Sequence, residues 1–336
     1  MHTLITAAAI ARRGGDPKQL HRRAEAGELV RLRPGAYLQP DDDDAAPTPE
    51  ERHGALIAVT APLLGPGTVI SHWSAAVLLG LPVPMRLLDR VSVIRPGSGS
   101  KADSRWVHAV AAPLDPGELV HVHGLAHTGG RRTLRDLAVR LDPMESVPIV
   151  DAALRRGFPR DDLDCTPGYA LRKREFVRDF ADPLAESVLE SRSRVLFDRL
   201  GLPAPELQLE VVDEHGRFVA RNDFTWRRQR VVGEADGRAK YDDQHREGTT
   251  IAELVERAHG RDADLLRAGL LPVHWNHRAT VEAAELDTAI RDAFRAAAFA
   301  EPCRALFRTT RPRRPAPVDW GPLFEQAADQ RVLTVT

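Results

Sequence analysis

Cysteine is nearly absent. The 336-residue chain holds only Cys165 and Cys303, far apart in sequence, which leaves no material for a disulfide framework or a thiolate zinc cluster. A reducing cytoplasm is the expected compartment. Long apolar runs are missing too, and no stretch reaches the roughly 18 apolar residues that a membrane span needs. The opening MHTLITAAAIARRGGD puts its apolar run ahead of its arginines and offers no small-residue cleavage site, so it reads as a first helix rather than a signal peptide. A net charge of −1 gives no overall excess of either sign. Lysine is scarce: 4 of the 47 basic residues are Lys and the rest are Arg. With so much alanine, that bias reflects a GC-rich coding sequence more than phosphate chemistry. No internal repeat is present.

The distribution of charge says more than its sum. Between residues 11 and 35, Arg12, Arg13, Lys18, Arg22, Arg23, Arg31 and Arg33 face only Asp16, Glu25 and Glu28. Helical periodicity over 3–12 and 17–26, each ended by glycine, precedes the apolar-basic run LVRLRPGAYLQP. Two short helices and a tight turn fit a helix-turn-helix over residues 1–40. Its second helix would present Lys18, Gln19, Arg22 and Arg23 to a major groove. A wing turning at Pro34-Gly35 would set Arg31 and Arg33 against phosphates, positioning the protein without reading sequence. By charge pattern alone, a helical hairpin with solvated charges fits equally well. The acidic DDDDAAPTPE (41–50) reads as a linker, and 51–155 as an alternating α/β region. Within it Ser71 and His72 read as capping and packing a helix, while Arg132-Thr133 has no evident chemical role.

From 183 the order is helix, three strands, helix, strand and long helix to about 300, then a Pro-containing tail (301–336) that reads as loosely packed. The fold class is therefore α/β (α+β) and multidomain. Glu186 and Glu190 are four apart, hence on one face of a helix. Asp223 lies near the end of one strand, and Glu234 and Asp236 end the next, two apart and so on one side. Glu190, Asp223 and Glu234 are the carboxylates expected to hold Mg²⁺ or Mn²⁺ for phosphodiester hydrolysis, with Asp236 beside them. Lys240 would stabilise phosphate charge. Zinc is not expected: His121, His123 and His127, and His274 with His277, lack ligand spacing.

Two resemblances add to this. DPKQLHRRAEAGELVRLRPGAYL resembles the winged-helix start of AbiE-type antitoxins of type IV toxin–antitoxin systems, and ISHWSAAVLLGLPVP and HTGGRRTLRDLA resemble segments that follow it. It implies an operator-binding repressor and a toxin partner of nucleotidyltransferase type. AESVLESRSRVLFDRLGLPAPELQLEVVDEHGRFVARNDFTW with RVVGEADGRAKY is similar to the DUF559 and very-short-patch-repair-like branch of the PD-(D/E)XK endonuclease superfamily. That match covers about 183–278, within a domain placed at 183–300. It implies Glu190 as the helical acid, Asp223 as the central aspartate and Glu234 with Asp236 as the final pair. Asp236 stands at the lysine position, His259-Gly260 replaces an acidic-basic pair, and His274 replaces a common arginine. Three readings stay open: a Mg²⁺-dependent endonuclease targeted to duplex DNA by its winged helix, a non-catalytic antitoxin-like repressor, and a domain whose acids hold a structural ion.

Overall fold

Helix and strand alternate along the whole chain, as the hydrophobic patterning requires. The computed structural model describes residues 2–41, 46–95, 103–163, 168–236, 251–300 and 302–330. The protein is of mixed α/β class and divides into two units, drawn from Met1–Arg140, Pro159–Glu175 and Ala316–Thr336 in one case, and from Leu141–Phe158 and Phe176–Pro315 in the other. No described helix is long and apolar enough to cross a membrane.

The first unit begins with strand β1 (Thr3–Thr6), helices α1 (Ala7–Arg12) and α2 (Lys18–Glu25), and the hairpin β2 (Val30–Arg33) and β3 (Ala36–Gln39). Thr6 caps α1 by accepting from the Ala9 amide at 3.2 Å. The hairpin turns at Pro34-Gly35, where Gly35 takes φ +77°. These strands form a sheet in the order β1-β3-β2. Residues 3–6, expected to open a helix, are a strand instead. Their backbone is claimed by β3 on one side, from Thr3↔Gln39 to Thr6↔Ala36. On the other side the amides of Leu4 and Thr6 donate to the side chains of Gln326 and Gln330 at 2.7 and 2.8 Å.

Those glutamines lie on a helix, Gly321–Asp329, in the segment expected to be a loose tail. Its nine residues are too short for periodicity to announce, and the preceding prolines mask it. Packing decides the outcome: Trp320 is 7% exposed, and its indole donates to the Leu78 carbonyl at 3.2 Å. The middle region adds α3 (Pro49–Thr60), begun by a Thr48/Glu51 capping box, and α4 (His72–Leu78). A second sheet runs β6-β5-β4-β8-β7, from strands β4 (Val69–Ile70), β5 (Val91–Ile94), β6 (Val107–Val110), β7 (Leu119–Val122) and β8 (Leu125–Thr128). Helix α5 (Gly130–Arg140) follows.

Helix α6 (Pro143–Arg156), read from sequence as the end of the middle region, belongs to the second unit and packs on α8 (Val188–Arg199). Buried Asp151 holds the pair together, accepting from the Asp182 amide at 2.7 Å and meeting Arg194 at 3.0 Å. Helix α7 (Leu171–Phe180) precedes this element. The second unit's sheet has the order β12-β11-β10-β9-β13, comprising β9 (Glu206–Val212), β10 (Phe218–Trp226), β11 (Val231–Asp236), β12 (Leu271–Asn276) and β13 (Leu306–Arg308). Only β11 and β12 are parallel in it. They are joined through α9 (Ile251–Arg267), and α10 (His277–Val281) and α11 (Ala283–Ala298) follow β12. Phe197, Phe224, Trp226 and Trp275 form an aromatic core with ring centroids 5.1–6.3 Å apart. The tail again departs from expectation here, since β13 extends this sheet through β9.

Gly54, in the middle of α3, is in contact with the Trp320 ring, and a Cβ there would drive into it. Alanine is the better helix former by about 1 kcal/mol, whereas overpacking costs about 1–3 kcal/mol. Gly54→Ala is therefore expected to lower the denaturant midpoint of the first unit, followed by far-UV circular dichroism. A raised midpoint would show that the Trp320 contact is not tight.

Candidate functional site

The N-terminal module is a small winged helix. Leu20, Leu29 and Tyr37 form its core, with Ile5, Ala7, Ile10 and Ala24 packed against them. With Leu20 and Ala24 turned inward, Lys18, Gln19 and Arg22 are left exposed on α2. Arg23 is half-buried and bonded to Glu28 at 2.8 Å, so it braces the end of α2. On the wing Arg31 is exposed, while Arg33 donates to the Thr60 hydroxyl at 3.3 Å and is pushed below its usual pKa by burial. The geometry thus separates the six basic and amide side chains expected at this interface: four point outward and two are engaged by the protein.

The second unit lines up its acids by strand register. Phe224 faces Gly233 across β10 and β11, which sets Asp223 opposite Glu234, and Glu234 in turn pairs with His274 on β12. On the other flank, Asn222↔Leu209 and Phe224↔Leu207 bracket Asp223 and Gln208. The row Gln208–Asp223–Glu234–His274 therefore crosses four strands on one face. Glu190 joins it from the first turn of α8, where its amide is capped by Ser187 at 3.1 Å. Glu190, Asp223 and Glu234 are all buried, at 2%, 6% and 6% exposure.

Gln208, which sequence reasoning passed over, is the hub. Its Nε2 donates to Glu190 Oε2 at 2.9 Å and to Asp223 Oδ1 at 3.0 Å. The Glu186 amide donates to the same Glu190 oxygen at 2.8 Å, and the Ala235 amide to Asp223 Oδ2 at 2.9 Å. An amide side chain among the apolar residues of LQLEVV was its only signal. Glu186 precedes α8 rather than sharing a helical face with Glu190, and its carboxylate is bonded to Arg221. Asp236 meets His274 Nδ1 at 3.4 Å, and Asp262 meets the other ring nitrogen at 3.0 Å. These two carboxylates, Asp236 first, push His274 up to about 9. A histidinium thus ends the row. Lys240 lies outside the described residues.

The carboxylate oxygens suit a hard divalent cation in kind. Burial, and then the Asp223 charge, push the Glu190 carboxyl up to about 7, a repulsion that a cation would relieve. In placement, two of the three carboxylates share the Gln208 amide. Among the described residues no group of three His, Cys, Asp or Glu is arranged to hold a metal ion. The arrangement as it stands is a protonatable, hydrogen-bonded acid pair with a third acid in line.

The two middle motifs act as structural brackets. Ser71 Oγ bonds His72 Nδ1 at 2.9 Å instead of capping α4, and burial pushes the His72 imidazole down to about 3, keeping it neutral. Arg132 joins Asp136 at 2.8 Å, Glu118 at 2.6 Å and the Pro113 carbonyl at 2.9 Å, and Thr133 bonds Thr128 at 2.8 Å. This gives Arg132-Thr133 the role its sequence did not disclose: it ties α5 to the end of β8 and the segment leading into β7.

Because Glu190 binds its proton more tightly folded than unfolded, the native state holds the extra proton between about pH 4.5 and 7, and stability falls as pH rises through that window. Glu190→Gln is expected to flatten this slope and stabilise the second unit above pH 7, by at most roughly 3 kcal/mol. Urea unfolding from pH 5 to 8 measures it, and parallel pH profiles for both proteins would refute the raised carboxyl.

Residues 2–39 match the family described as transcriptional regulator, AbiEi antitoxin. Two curated proteins of Mycobacterium tuberculosis, the uncharacterized proteins Rv2248 of strain H37Rv and MT2308 of strain CDC 1551, are each 30% identical over 227 residues, covering 65% of this chain and 77% of theirs. The chain belongs to the same family as these two mycobacterial proteins, and its first residues, 2–39, are similar to the AbiEi regulator family.

Proposed function

We propose that this protein is a DNA-binding transcriptional regulator of antitoxin type, which docks α2 in the major groove of its operator and holds a toxin of nucleotidyltransferase type as its protein partner. The observation that carries this reading is the outward set Lys18, Gln19 and Arg22 on α2, beside Arg31 on the wing, in the segment that matches the regulator family. Phosphate contacts from Lys18 and Arg31 would fix the register, and Gln19 and Arg22 suit base edges, since Gln pairs with adenine and Arg with guanine.

Arg22→Ala is expected to weaken binding to the promoter upstream of the gene by about 1–3 kcal/mol and to relax its sequence preference. Arg31→Ala should weaken binding to all duplexes alike and reduce the salt slope by about 0.9. Fluorescence anisotropy from 50 to 300 mM salt reads both. Unchanged binding by both variants would exclude the winged helix as the reader.

A second reading is favoured by the acid row of the second unit. Here the protein is a Mg²⁺- or Mn²⁺-dependent DNA endonuclease of PD-(D/E)XK type, with Glu190, Asp223 and Glu234 as the residues that would hold the ion. Such an ion supplies an activated water and neutralises phosphate charge. Gln208 orients Glu190 and Asp223, while the Asp236-anchored His274 keeps a positive charge at the end of the row. Incubation with supercoiled plasmid and either ion, beside Asp223→Asn/Glu234→Gln, separates the readings. Metal-dependent nicking lost in the double variant establishes the nuclease. Binding without nicking leaves the regulator alone.

A further inference from the structure

The first unit contains a groove of about 740 Å³ that, Arg31 apart, neither reading uses. Arg31 enters it from β2, Arg52 from the first turns of α3, Arg86 and Arg90 from the segment before β5, and Arg105 from the approach to β6, with Trp106 beside it. Asp89 is the one acid lining it among the described residues. Arg90 is matched by Asp103 at 3.4 Å, and the Arg105 guanidinium lies 5.1 Å from the Trp106 ring centroid. The floor adds no charge. Leu32, Leu56 and Leu88 are buried there, and His53 bonds the Leu88 carbonyl and Ser74 at 2.7 and 2.8 Å, with burial keeping the imidazole neutral.

Arg132 of this unit is neutralised by Glu118 and Asp136. Here five arginines line one groove over an apolar floor, with Asp89 the one acid among its described lining residues and Asp103 paired to Arg90. Mutual repulsion makes such a convergence costly unless a polyanion shares it. Arg31 belongs to this groove and to the wing at once, so the groove joins the hairpin to the middle region. A strand of phosphates at regular spacing, with sugars against an aromatic wall, is the ligand that this chemistry fits.

We propose that the Arg52–Arg105 groove is a second contact for the phosphodiester backbone of the duplex held by α2 and the wing. The middle region then shares the electrostatic part of DNA binding and adds no base reading of its own. This inference rests on the DNA-binding reading above.

The test uses the full-length chain, with the upstream promoter duplex and a scrambled duplex of equal length. Arg52→Gln/Arg105→Gln removes two exposed charges from the groove. Arg278→Gln/Arg295→Gln removes the same net charge from the second unit as a control. Each lost phosphate contact lowers the slope of log K against log salt by about 0.9. The groove variant is expected to lower it by about 2 on both duplexes, with the promoter-to-scrambled preference unchanged and the control at the wild-type slope. A groove variant with the wild-type slope overturns the proposal while Arg22→Ala still weakens binding, and the winged-helix reading survives. The same result is expected if the groove takes an acidic protein segment instead. A wild-type chain that binds neither duplex overturns both readings together.

Discussion

One amide keeps two buried carboxylates in company. Glu190 and Asp223 come from different elements, a helix start and a mid-sheet strand, and both lose water on folding. Like charges in a dry site repel more strongly than in water. Gln208 offsets this by placing one NH₂ group between them, with the Glu186 amide on the same Glu190 oxygen and the Ala235 amide on the other Asp223 oxygen. The register of β9 to β12 and the seating of α8 on that sheet have to be right for this amide to reach both. The aromatic core beneath, where Phe197 of α8 meets Phe224 and Trp275 edge-on, holds the geometry mechanically. The polar row and the apolar layer specify the same arrangement.

Arginine does two kinds of work in this chain. Some guanidiniums act as internal fasteners, as Arg132 does between α5 and its acids or Arg194 with buried Asp151. Their fork geometry allows several bonds at once, which a lysine cannot supply. Others stand exposed at the surface, as Arg31 does on the wing and Arg52 and Arg105 along the groove beside it. Composition cannot separate the two kinds. What separates them is whether carboxylates sit on neighbouring elements, and that is a tertiary fact.

Much of the fold was legible because it rests on local pattern. The winged helix followed from two short periodic segments and a Pro-Gly hairpin, and the second unit from helix, strand alternation and acids at strand ends. Asp223, Glu234 and Glu190 fell on the expected elements since strand period and helix start are local properties. What escaped was decided at long range. Thr3–Thr6 became a strand because β3 and the glutamines beyond residue 325 claim its backbone. Glu186 left the helical face because Arg221 holds it and Ser187 starts the helix. Gln208 looked like an interruption in a strand, and only register shows that it faces Asp223. Arg52, Arg86 and Arg105 are separated by enough sequence that nothing in the linear order suggested one groove.

The return of the last helix to the first strand has a consequence for biosynthesis. The amides of Leu4 and Thr6 are served by side chains more than 320 positions later, and Trp320 fills the space left open at Gly54. A ribosome releases the winged helix early, yet its outer strand stays unclamped until the final segment emerges. The second unit, encoded almost entirely between these two ends, can finish folding first. The N-terminal module is thus completed only in chains that reach Gln330, and a product truncated before it would lack the clamp on the strand beside α1 and α2.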